Sequence, residues 1–157
     1  MKALTIKELK QELSIRSAKE LLELCLRLSK FKKENKELLT YLLFESSDEA
    51  LYIDSVKKEI DQQFNQINKK TYYLMKKSIR KILLNTKKYI RYSQKKETEV
   101  ELLIYFCLKL KNLSPPIHKN TKLQKLYNTQ VEVIRRKITT LHEDLQYDYG
   151  IELDTLQ

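Results

Sequence analysis

Apolar residues recur every three or four positions along most of the chain, the period of a helix with one buried face. Two Ser/Thr-x-x-Glu patterns, Thr5/Glu8 and Ser17/Glu20, open the first two periodic stretches as capping boxes. A third, Ser46/Glu49, opens a later one. The periodicity predicts a short helix over residues 6–13, a second over 18–31 and, after the polar break Lys32-Lys33-Glu34-Asn35, a third over 36–44. A fourth over 47–68 places Leu51, Ile53, Val56, Ile60, Phe64 and Ile67 on its core side. Helices over 71–93 and 97–111 follow, the latter carrying Leu102, Leu103, Tyr105, Phe106, Leu108 and Leu110.

Leu113-Ser114-Pro115-Pro116 is the strong breaker of the pattern, because proline cannot donate to a helix ladder and restricts its predecessor. One last long helix is expected over 120–146, with Leu123, Leu126, Tyr127, Val131, Ile134, Ile138, Leu141 and Leu145 inward. Gly150 would end it or a short extension of it. The expected fold is all-α: one domain over 1–157, a multi-helix bundle or short α-α superhelix of about seven helices. A single Gly and two Pro in 157 residues agree with it, since turn-rich β architectures need both at tight corners.

Residues 20–31 and 102–113 share a weak internal similarity. Leu21-Leu22-x-x-Cys25-Leu26 matches Leu103-Ile104-x-x-Cys107-Leu108, but the intervening positions Gln62, Gln63 and Gln66 do not continue it, so a regular array is not expected.

Charge changes the picture at one place. The chain carries +10, and residues 69–96 hold 11 Lys/Arg and no Asp/Glu, whereas 1–68 hold 12 of each and 97–157 hold 8 and 9. On a helical projection of about 100° per residue, Lys76, Lys77, Arg80, Lys81, Lys87, Lys88, Arg91 and Lys95 fall on one arc of about 140°. Met75, Ile79, Ile82, Leu83, Thr86, Tyr89 and Ile90 occupy the other side. Tyr73 and Leu84 lie within the basic arc. Like-charge pairs such as Lys76/Arg80 and Lys87/Arg91 disfavour an isolated helix by about 0.2–0.5 kcal/mol each.

A concentrated positive face attracts polyanions, and basic side chains beside an accessible ring form a platform for phosphates and an unpaired base. Lys76, Lys77, Arg80, Lys81, Lys87, Lys88, Arg91, Lys95 and Tyr73 are therefore the candidate nucleic-acid contacts, with RNA or DNA, or an acidic protein surface, as partner. Lys outnumbers Arg 25 to 6, which favours backbone-directed binding over bidentate base readout. Two alternatives stay open: the face is simply solvated, or carboxylates such as Glu97, Glu99, Glu101, Asp54 or Glu59 neutralise it. A further alternative function is a helical adaptor or oligomer-forming domain that uses an apolar strip such as Leu38, Leu39, Leu42 and Leu43.

Enzyme chemistry finds little support. His118 and His142 are the two histidines, and His142-Glu143 lacks the second His that a zinc-protease helix carries four residues on. One Gly, at position 150, excludes glycine-rich phosphate loops. No cofactor or metal is expected. Cys25 and Cys107 sit in apolar runs and read as two buried thiols. No stretch of 18 uncharged apolar residues exists and Met1–Thr5 begins no secretory apolar core, so a cytoplasmic location is expected.

Overall fold

The computed structural model describes residues 1–156, and those residues form eight α-helices without a strand. The helices are α1 (Ile6–Ser14), α2 (Ala18–Phe31), α3 (Lys33–Thr40), α4 (Glu49–Asn65), α5 (Tyr72–Ser93), α6 (Lys96–Lys111), α7 (Thr121–Ile138) and α8 (Glu143–Asp154). A π-helical turn, Tyr41–Glu45, follows α3, and a 3₁₀ turn, Ile117–Lys119, precedes α7. The chain divides into two compact units, Met1–Phe44 and Glu45–Gln157.

In the first unit both capping boxes form. The Thr5 and Ser17 hydroxyls accept from the Glu8 and Glu20 amides, and each glutamate accepts back from the capping residue's N–H at 2.8 Å. These bonds hold both carboxyls below the usual carboxylate range. The expected polar break shrinks to Lys32 alone, because Asn35 donates from Nδ2 to the Leu28 carbonyl at 2.8 Å and ties the two helices together there. Helices α2 and α3 pack on each other, yet no residue of α1, α2 or α3 is buried. Cys25 is accordingly exposed, contrary to the expectation of two buried thiols.

The second unit is built around α6. This helix is apolar on nearly all sides, with Val100, Leu102, Leu103, Ile104, Phe106, Cys107 and Leu110 at 1% exposure or less, and it packs against α4, α5, α7 and α8. Burial pushes the Cys107 thiol up to about 12. Phe64 of α4 meets Phe106 ring to ring at 5.7 Å.

Three boundaries differ from the sequence reading. Helix α4 is capped by Asp48, which accepts from the Leu51 amide, not by Ser46; Leu51 lies about 180° around the helix from the buried Ile60 and faces outward, while Tyr52 takes the buried place. The Tyr52 hydroxyl donates to the Tyr89 carbonyl at 2.9 Å. The last long helix is broken after Ile138: the Thr139 and Thr140 hydroxyls donate to the Arg136 and Lys137 carbonyls, and His142 caps a separate α8. Gly150 lies inside α8 and ends nothing. Where α5 needs a left-handed residue to stop, Gln94 supplies it at φ 58°, its N–H donating to the Ile90 carbonyl. The Ser114–Pro115 peptide is cis.

Candidate functional site

Helix α5 is amphipathic as its sequence requires. Met75, Ile79, Ile82, Leu83, Thr86 and Ile90 are buried, and Thr86, fully enclosed, satisfies its hydroxyl on the Ile82 carbonyl at 3.0 Å. The opposite side carries Lys77, Arg80, Lys81 and Arg91, all exposed, with Lys76, Lys87 and Lys88 half-buried along its margins.

Three of the five carboxylates expected as neutralisers are engaged elsewhere. Glu99 pairs with Lys137 at 2.8 Å, Glu101 with Lys57 at 2.5 Å, and Glu59 accepts from Gln63. Among the described residues Lys77, Arg80, Lys81, Lys87 and Arg91 make no ion pair. Lys95 differs from its neighbours: it pairs with Glu49 at 3.0 Å, in a knot where Glu49 also accepts from Ser93 and, at 2.6 Å, from Thr98. That knot fastens the start of α4 to the α5–α6 corner. Lys88 lies 4.8 Å from the Tyr89 ring centroid and Lys76 lies 5.6 Å from that of Tyr73.

A groove of about 660 Å³ runs between α5 and α7. Lys76, Arg80 and Lys87 line it from α5, and Lys122 and Lys125 from α7. Leu83, Leu84, Leu126, Thr129 and Gln130 complete it, so its lining holds five cations, an apolar floor and no carboxylate. Gln130 is 4% exposed and its Oε1 accepts no hydrogen bond, an arrangement that costs about 1–3 kcal/mol.

A smaller hollow of about 320 Å³ adjoins the groove. It shares Lys76 and Lys122 with it and adds Tyr72, Tyr73, Asn120 and Thr121. Another, of about 580 Å³, shares Lys125 and Thr129 and includes Glu132, which pairs with Arg135 at 2.7 Å, so its charge is mixed.

Of the nine candidates from the sequence, Lys76, Arg80 and Lys87 meet in the groove and Tyr73 stands in the adjoining hollow. Lys77, Lys81, Lys88, Arg91 and Lys95 are not among the lining residues. Lys122 and Lys125 line the groove without having been candidates. The α7 pattern carries a signal for them, two lysines bracketing the inward Leu123, but the pairing of α7 with α5 is not a local property.

No family model matches this chain, and no curated protein or solved structure does either. No helix among the described residues is long and apolar enough to cross a membrane.

Proposed function

We propose that this is a non-enzymatic helical binding protein whose α5–α7 groove holds the phosphate backbone of RNA or DNA. One observation carries the reading: cations from two helices converge on a single groove whose lining includes no carboxylate. Unpaired positive charge at that density raises the local potential and costs self-repulsion, which an anionic ligand relieves. A phosphodiester chain suits it better than a single small anion, because the charge is distributed along a track.

The mechanism is electrostatic, with release of condensed counterions. With about five phosphates engaged, the log-log dependence of duplex binding on salt has a slope of about −4 to −5. Fluorescence anisotropy of a labelled oligonucleotide across a salt series tests this. Affinity that does not respond to salt would overturn the reading.

A second reading, a helical adaptor or oligomer-forming protein, is favoured by a different observation. Leu22, Leu28, Phe31, Leu43 and Phe44 in the first unit are each at least 60% exposed. Light scattering coupled to size-exclusion chromatography separates the two readings, since a strictly monomeric chain counts against self-assembly.

A further inference from the structure

Phosphate binding explains the lysines of the groove but not its apolar residues. Leu84 stands 68% exposed on the same arc as Arg80 and Lys87, and Tyr73, 69% exposed, stands on that arc near the start of α5. A duplex presents phosphates and sugars outward and keeps its base faces stacked inside. Seated on this track it would cover Leu84 with charged groups and leave Tyr73 nothing to stack against. An unpaired strand presents both kinds of surface at once: phosphates for the cations, and flat apolar base faces for a ring and a leucine.

We propose that the track takes single-stranded nucleic acid, with one base against Tyr73 and another against Leu84. This rests on the phosphate-binding reading and names the strand state it serves. The two hollows share Lys76 and Lys122 in their linings. Eleven residues of helix separate Tyr73 from Leu84, about 16 Å along the axis at about 1.5 Å per residue. At about 3.4 Å per nucleotide, the rise of a fully stacked strand, that span corresponds to at most about five nucleotides, and an unstacked strand covers it in fewer. The occluded site is therefore no longer than about five to six nucleotides.

The test compares three ligands by anisotropy at one salt concentration: a 12-nucleotide single strand of mixed sequence, the same strand as a duplex, and an abasic 12-mer with the same number of phosphates. The single strand is expected to bind about tenfold more tightly than either of the others, the worth of one stacked base. Tyr73→Ala, at an exposed position, is expected to bring the ratio of single-strand affinity to duplex and abasic affinity most of the way to one, and Leu84→Ser to do so in part. Equal affinity for all three ligands with the salt slope intact overturns the single-strand assignment and leaves phosphate binding standing. Absence of salt-dependent binding to any of the three overturns phosphate binding itself. Preference for vesicles of anionic phospholipid over the single strand overturns both.

Discussion

Glu99 of α6 pairs with Lys137 of α7 at 2.8 Å and with no cation of α5. With Glu101 likewise engaged on Lys57, neither of these α6 carboxylates pairs with a cation of the track. The positive potential of the groove thus depends on where the acids point as much as on where the lysines stand.

Removing the α7 side of the track should reduce binding without affecting the fold. Lys122 and Lys125 are exposed and make no ion pair among the described residues. The double variant Lys122→Gln/Lys125→Gln is expected to make the salt slope shallower by about 2, one for each phosphate no longer neutralised, with an unchanged melting temperature. The same change at Lys77 and Lys81, outside the groove, should alter the slope by less. Equal effects from both pairs would mean that the groove is not the binding surface.

Asp61 should carry part of the acid stability. Partial burial raises its carboxyl, but Lys109 at 2.7 Å and the Tyr105 hydroxyl at 2.8 Å outweigh that and hold it below the ordinary value. Burial, with Asp61 beside it, pushes the Tyr105 hydroxyl up to about 12. A depressed carboxylate contributes stability that is complete above its unfolded-state pKa and is lost as pH falls through the folded one. Asp61→Asn is therefore expected to lower the melting temperature at neutral pH and to flatten its decline below about pH 4. With both partners more than a third exposed, the effect stays near or below about 1 kcal/mol. Parallel melting curves for variant and parent across that range would show that Asp61 carries none of the acid stability.

Two cysteines in similar sequence surroundings should react differently. Cys25 is exposed beside a small apolar hollow between α2 and α3, whereas Cys107 is enclosed in α6 with its thiol pushed up to about 12. Titration with a thiol reagent is expected to modify one cysteine per native chain and two in denaturant. Modification of neither in the native state would mean that α2 is covered.

Backbone placement offers two stabilising substitutions. Gly150 sits mid-helix with nothing within 4 Å of an added Cβ, and Gln94 adopts a left-handed conformation that glycine takes without strain. Gly150→Ala and Gln94→Gly are each expected to add about 0.5–1 kcal/mol, or about 1–4 °C in melting temperature. A decrease from Gly150→Ala would place an unseen constraint on α8.

Gln130→Leu should also stabilise the protein. It replaces a buried amide oxygen without a donor by an apolar side chain of similar size, and the expected gain is about 1 kcal/mol by chemical denaturation. A loss of stability would show that the amide is satisfied in solution.

Local rules were legible where they act over one or two turns. The Thr5 and Ser17 boxes and the apolar side of α5 follow from capping chemistry and periodicity alone. They failed where alternatives compete within a turn. Asp48 displaced Ser46 as a cap two residues away, and Thr139 and Thr140 turned back on the Arg136 and Lys137 carbonyls where the last helix divides.

The α2/α6 similarity shows the limit most directly. Leu22 and Cys25 are exposed on α2, while the matching Ile104 and Cys107 are buried on α6. A short apolar motif specifies a helix with a sticky side, and neighbours decide whether that side becomes core.

The sequence by itself determined an all-helical chain and a basic side on α5, because hydrophobic period, caps and charge runs are properties of adjacent residues. Only the tertiary structure decided that Lys122 and Lys125 join Lys76, Arg80 and Lys87 across one groove, and that Glu99 and Glu101 pair with Lys137 and Lys57. Those outcomes depend on which helices pack against α6, and packing between elements dozens of residues apart leaves no periodic trace in the chain.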